Sequence, residues 1–315
     1  MNELKLIKVK HPYNKEEIVS EDIVLILGFF DGVHLAHQKV INKGIQIAKE
    51  QGMKAALMTF NRRPRLVYHK FNPQNYAYLT QHEQKYQILE GLGLDIVYEV
   101  YYNSEFGNQS PQDFVDQYLV GWHAKYVVAG YDYTYGKPEV ASMEHLPTYA
   151  KNRFEIIQVG EEKAEGESIS STVIRQHIKD GKIATANAML GYPYETLGFV
   201  VHGDARGREL GYPTANIHSH PYTLLPKVGI YAVWITVKGQ RYQGMASIGY
   251  NVTFKNQKDL SVEVNILDFS EEIYGDDVKI EWVKYLRGEE KFSGADELIE
   301  QLEQDEINVR KILTK

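Results

Sequence analysis

Thr214 and Asn216 place a hydroxyl and a carboxamide two residues apart, and on an extended segment such a pair points the same way. Neutral oxygens on one face suit a hard cation, and a magnesium ion carrying ATP phosphates would fit them. The pair closes the stretch GFVVHGDARGRELGYPTANI, Gly198 to Ile217. Within it Gly203, Gly207 and Gly211 let the backbone approach a polyanion, and Arg206 and Arg208 can add charge and bidentate hydrogen bonds. The spacing is not that of a Walker loop, which needs GxxxxGK[ST]. Taken alone, the stretch reads either as a phosphate site or as a glycine-rich hairpin whose polar residues decorate a turn.

A second group lies upstream. The apolar run Ile23 to Leu27 is followed by Gly28-Phe29-Phe30-Asp31-Gly32-Val33-His34-Leu35-Ala36-His37-Gln38. Two histidines separated by two residues, at the junction of a strand with a helix start, can both face a phosphate held by the helix dipole, although in isolation such a pair is more often structural or incidental. Further on, Ser170, Ser171 and Thr172 form a hydroxyl run before a helix, with Arg175 one turn on. That pattern is a second anion cradle or an ordinary N-cap.

The elements that must position these residues follow from periodicity. Short apolar runs at Ile23 to Leu27, Ala55 to Phe60, Ile96 to Val100, Tyr126 to Ala129 and Phe154 to Val159 alternate with stretches of helical spacing, which predicts a parallel sheet with crossover helices. Ser110-Pro111-Gln112-Asp113 predicts a helix start, with the helix running to about Val120. After residue 185 the pattern changes to β-runs broken by turns, such as Tyr231 to Val237 and Tyr242 to Ile248, which predict antiparallel hairpins closing into a small barrel. A last helix is signalled by Ser293 and Asp296, then by Leu298, Leu302, Ile312 and Leu313. The expected fold class is α/β, a Rossmann-like N-terminal domain over 1–186 and an antiparallel β-barrel with a C-terminal helix over 187–315.

Bulk properties narrow the function. A chain of 315 residues, 43% hydrophobic and 12% aromatic, is long enough for two cores. A net charge of −7 without a run of five or more like charges argues against nucleic acid or an anionic membrane as partner. The absence of cysteine excludes thiolate catalysis and Cys-based zinc sites and fits a reducing cytoplasm.

The strings KVGIYAVWI, GMASIGYNVTF, VEVNILDF, IYG and YLRGEEKF, between Lys227 and Phe292, come in the order and spacing of riboflavin kinases, and with GRELGYPTAN they resemble that family over roughly 185–315. The segment FFDGVHxxHQ resembles the nucleotidyltransferase signature FDGVHxGHQ of the FAD synthetase module, with further matches at Leu79-Thr80, Lys85, Asp132 within GYDYTYG and Ile169 to Arg175. Together they resemble the bifunctional riboflavin kinase/FAD synthetase family over essentially the whole chain. The resemblance implies riboflavin, FMN and ATP as ligands and magnesium with ATP. It implies Glu263 as general base, Gly203, Gly207, Arg208, Thr214 and Asn216 as the kinase's ATP and phosphate site, and Thr214 and Asn216 as metal ligands. It implies Gly28, Phe30, His34, His37, Asp132, Ser170, Ser171, Thr172 and Arg175 as the adenylyltransferase nucleotide site.

The chain departs from the family pattern at several points. Tyr250-Asn251-Val252-Thr253 stands where the family often has TRPT, a version that also occurs among its kinases. Ala36 replaces a glycine, Arg63 a histidine, Glu139 an arginine and Ala141 a glycine, all where the family contacts ATP or flavin. These changes set the expectation that FAD synthesis is weak or lost. The alternatives are a monofunctional kinase with a scaffold or nucleotide-sensing first domain and, further off, a non-catalytic flavin-binding regulator.

Overall fold

The computed structural model describes residues 3–70, 76–203, 207, 210–250 and 260–314. Its contacts divide the chain into two compact units, one over 1–76 and 80–170, the other over 171–315 together with 77–79.

The first unit is built on six parallel strands, β1 (Lys5–Lys10), β2 (Ile23–Leu27), β3 (Lys54–Phe60), β4 (Ile96–Tyr101), β5 (Ala124–Gly130) and β6 (Glu155–Val159), in the order β1-β4-β3-β2-β5-β6. Both faces are covered. Ile23, Leu25 and Leu27 enter one core with Trp122, Tyr98 and Tyr118, whereas Val24 and Ile26 enter a second with Val40, Ile41 and Ile45. Strands buried on both sides must read as continuous apolar runs, which is why IVLIL carries no alternation. The helices are α1 (Leu35–Gln51), α2 (Arg65–Tyr68), α3 (His82–Leu92), α4 (Ser104–Gly107), α5 (Pro111–Phe114) and α6 (Leu146–Ala150). The helix expected from Ser110 is present with Ser110 as cap, its side chain accepting from Asp113 N, but from Val115 to Val120 it widens to π geometry. A two-stranded ribbon, β7 (Lys163–Ala164) and β8 (Glu167–Ser168), follows the sheet.

The second unit is a closed six-stranded barrel of β9 (Tyr194–Val201), β10 (Ala215–Ser219), β11 (Gly229–Val237), β12 (Gln240–Tyr250), β13 (Leu260–Ile266) and β14 (Asp277–Arg287), ordered β10-β13-β12-β11-β14-β9. Trp282, Tyr194 and Tyr231 fill it, and the Trp282 indole donates to Thr196 Oγ1 at 2.9 Å, so the buried N–H is satisfied. Helices α7 (Ser171–Lys179) and α8 (Ile183–Leu190) belong to this unit. Asn187 of α8 donates to the Trp282 carbonyl and accepts from Tyr194 N, both at 2.8 Å, so the helical pair preceding the expected boundary at 187 packs with the barrel.

The last helix, α9 (Ala295–Leu313), lays Val309 and Leu313 on Ala232 and Met245. Its N-cap is Gly294, and Ser293 instead binds Glu297 through its amide and hydroxyl. A bidentate pair between Arg287 and the buried Asp305 pins α9 to β14.

Candidate active sites

In the barrel, the proposed kinase residues meet where β10 runs beside β13. Asn216 is directly opposite Glu263 in that antiparallel pair, and side chains so placed share a face. Val262 and Val264, on either side of Glu263, point into the core. Thr214 reaches the same face and donates its Oγ1 proton to Glu263 Oε2 at 3.0 Å. The hydroxyl oxygen thereby turns its lone pairs away from the carboxylate, and Glu263 Oε1 keeps its acceptor capacity. The extended approach of Pro213 is fixed by Asn265, whose amide donates to the Pro213 carbonyl at 2.8 Å.

Gly203 and Gly207 have separate steric reasons. A Cβ on Gly203 would collide with the Asn216 carboxamide, and one on Gly207 with the Tyr212 carbonyl. The amide of Tyr212 in turn donates to the Gly207 carbonyl at 2.8 Å, closing the turn. Arg206 and Arg208 lie outside the described residues, as do Asn251, Val252 and Thr253. An open cleft of about 430 Å³ adjoins Thr214, lined by Val200, Val264, Ile266, Phe269, Glu271 and Tyr274. Three oxygen-bearing side chains on one face can hold a cation and phosphates, and of the three Thr214 borders the cleft. Gly203→Ala is expected to displace the Asn216 side chain and lower FMN formation by about tenfold or more, measured against unchanged FAD formation from supplied FMN.

In the first unit, Gly28, Phe30, His34, His37 and Asp132 gather at the carboxyl ends of β2 and β5, the crevice where strand order reverses. The turn after β2 is strained. Phe30 and Val33 have φ of 55° and 34°, and Gly32 has φ of 86°. Non-glycine residues there cost on the order of 1–3 kcal/mol each and persist where surrounding structure enforces them. The enforcement is visible: Gly32 N donates to Thr80 Oγ1 at 3.1 Å, and Arg63 pairs with the buried Asp31 at 2.5 Å. A Cβ on Gly28 would run into the Phe30 ring.

His34 caps α1, its Nδ1 accepting from His37 N at 3.3 Å, so its neutral form carries the proton on Nε2 as a donor. The two rings stack at 3.6 Å. Burial pushes His34 down to about 4, and burial, His34 and Lys85 hold His37 well below the ordinary range. His37 Nδ1 is buried without a partner among the described residues. Asp132 is exposed in the turn following β5.

Ser170 ends the first unit, and Ser171, Thr172 and Arg175 open the second. The helix begins at Ser171, so two of the three hydroxyls lie inside its first turn rather than before it. Arg175 donates to the Ser171 carbonyl at 3.0 Å and to the Ala77 carbonyl at 3.4 Å.

The riboflavin kinase family model matches residues 190–313, and the FAD synthetase model matches 16–173. The chain is 47% identical over 312 residues, 99% of both chains, to a bifunctional riboflavin kinase/FMN adenylyltransferase of Listeria monocytogenes. It is 40% identical, over 96% of both chains, to one of Bacillus subtilis. The chain belongs to the bifunctional riboflavin kinase/FMN adenylyltransferase family. In keeping with that family it is a transferase of flavin cofactor biosynthesis with both activities, using ATP and a divalent metal, and the bifunctional reading holds over the monofunctional alternative. A crystal structure from Streptococcus pneumoniae called a macrolide-efflux protein shares the fold, with a TM-score of 0.89 and 35% identity over 96% of this chain and 99% of that one. No described helix is long and apolar enough to cross a membrane.

The residues at which this chain departs from the family pattern have definite surroundings. Arg63 is engaged by Asp31, Glu139 is exposed, and Ala141 is buried. Thr59, which sequence reading did not single out, and Lys85, which it gave as a match to the nucleotidyltransferase module without a role, lie beside the strained turn, Thr59 Oγ1 donating to the Phe29 carbonyl at 2.8 Å. Lys85 stands four residues before the buried Leu89, on the inward face of α3.

Proposed function

We propose that Glu263, Thr214 and Asn216 carry riboflavin phosphorylation and that His34 and His37, with Gly28, Phe30, Asp132, Ser170, Ser171, Thr172 and Arg175, carry adenylyl transfer. The modules would be 187–315 and 1–186. The observation supporting the kinase assignment most directly is the Thr214 to Glu263 hydrogen bond beside Asn216 on one barrel face. Magnesium fits the Thr214 hydroxyl and Asn216 carboxamide, both hard neutral oxygens, and when bound would neutralise ATP phosphates and orient them.

Glu263 takes the proton of the terminal ribityl hydroxyl as that oxygen bonds to the γ-phosphorus. The bond from the γ-phosphorus to its bridging oxygen breaks, and ADP leaves. Gly203 and Gly207 allow the backbone to approach the phosphates, and Arg208 adds charge. In the first unit an FMN phosphate oxygen attacks the α-phosphorus of ATP and pyrophosphate departs with the bridging oxygen. No proton need move in that step. The neutral histidines serve as hydrogen-bond donors at the start of α1.

The test is to supply riboflavin, ATP and magnesium and follow FMN, then FAD and pyrophosphate; absence of FMN overturns the kinase reading, and absence of FAD overturns the adenylyltransferase reading. Asn216→Ala is expected to raise the magnesium concentration for half-maximal FMN formation, and an unchanged titration places the ion elsewhere.

A further inference from the structure

We propose that Lys85 is a positioning residue of adenylyl transfer, a buried positive charge behind the Phe29–His37 turn whose counter-anion is a substrate phosphate. The inference rests on the adenylyltransferase reading of this site and adds to it a charge from α3.

Lys85 is 3% exposed. Its ammonium has three protons to donate, and the described residues supply one hydrogen-bond acceptor, Thr59 Oγ1 at 3.1 Å. That hydroxyl gives its own proton to the Phe29 carbonyl, so Lys85, Thr59 and the turn form one chain of hydrogen bonds. The ammonium also sits 5.2 Å from the Phe29 ring centre and 5.7 Å from that of Tyr86.

No carboxylate among the described residues lies within ion-pair distance of Lys85. Glu99 is opposite Thr59 across β3 and β4, but its Oε2 is taken by Tyr86 and by His82 at 3.2 Å. Asp31 is engaged by Arg63. A buried cation that lacks an adjacent counter-charge is expensive to keep, and a substrate anion beside it would supply the missing charge. The anion that this turn is built to receive is a phosphate. The field of Lys85 also reaches His37 and helps to keep that ring neutral.

The titratable groups facing Lys85 are His37 from α1, Glu99 from β4 and Tyr86 from its own helix. Burial pushes Lys85 down to about 8, with Glu99 pulling the other way. Both α1 histidines are held low, Glu99 is held below its ordinary value chiefly by His82 and Tyr86 against the cost of burial, and Tyr86 is pushed up by burial and Glu99. Lys85 is therefore the member of this group that changes charge on the alkaline side of neutrality.

The experiment uses the full chain. Lys85→Met is expected to raise the KM for the phosphate substrate that it serves by tenfold or more, with FMN formation in the barrel unchanged as the control for folding. A shift in the KM for ATP assigns the charge to the triphosphate, and a shift in that for FMN assigns it to the flavin phosphate. Pyrophosphate binding by calorimetry is the second readout. Its affinity for the wild type is expected to fall more steeply between about pH 7 and 9.5 than for Lys85→Arg, whose guanidinium stays charged and whose curve corrects for the ionisation of pyrophosphate itself. Unaltered KM values in Lys85→Met, a loss confined to kcat, or superimposable pH curves would overturn the proposal. Should Lys85→Met lose the kinase as well, the comparison of wild type with Lys85→Arg decides alone. Pyrophosphate binding is measurable whether or not FAD forms, so failure of the catalytic reading is distinguishable from failure of the Lys85 assignment.

Discussion

Glu263→Gln is expected to lower FMN formation by on the order of a hundredfold or more, with FAD formation from supplied FMN unchanged. The amide keeps the shape of the carboxylate and can still accept from Thr214, so the β10–β13 pairing and the placement of Asn216 survive. What disappears is the ability to take a proton, and a positioned base contributes roughly 10² to 10⁴ in rate. Because the defect is in proton acceptance and not in nucleotide binding, kcat should fall while the KM for ATP moves little. Steady-state kinetics on the variant check both statements, and turnover close to that of the wild type excludes the role.

His34→Ala is expected to lower FAD formation by on the order of a hundredfold while leaving FMN formation intact. The change removes the Nε2 donor, the ring stacked on His37 and the cap of α1. A hydrogen bond to a charged phosphate is worth about 1.5–3 kcal/mol, or roughly one to two powers of ten, and the lost cap adds about 1 kcal/mol of destabilisation. FAD and pyrophosphate release measured beside the kinase reaction on the same sample provide the check.

The pH dependence of stability follows from the same ring. His34 is lowered from 6.5 to about 4, so the unfolded chain binds this proton more tightly than the folded one. The folded state is therefore penalised as pH falls below 6.5, and the penalty stops growing near 4, at on the order of 3 kcal/mol. His34→Ala should remove that part of the acid sensitivity, visible as a shallower loss of melting temperature between these limits.

The strands of the doubly wound sheet were legible because burial on both faces leaves no other pattern, and their observed limits differ from the expected ones by a residue or two. β1 was not legible. KLIKVK sits at the sheet edge, paired with β4, and its three lysines are exposed, as on an edge strand. The pairing of Thr214, Asn216 and Glu263 could be anticipated from the family resemblance, but their common face required the β10–β13 register, which joins residues nearly fifty positions apart. The Arg63 to Asp31 pair was hidden for the same reason: each residue reads as an isolated charge until two strand ends come together.

Residues 77–79 lie in the middle of the first unit's sequence yet fold with the second, where Tyr78 bridges Thr223 and donates to the Tyr222 carbonyl, and Ala77 receives Arg175. The two compact units are thus not contiguous stretches of the polypeptide. Any single scission that frees the barrel leaves behind a three-residue splint, so a transplanted kinase half would inherit an open seam at Tyr222 and an Arg175 short of one acceptor.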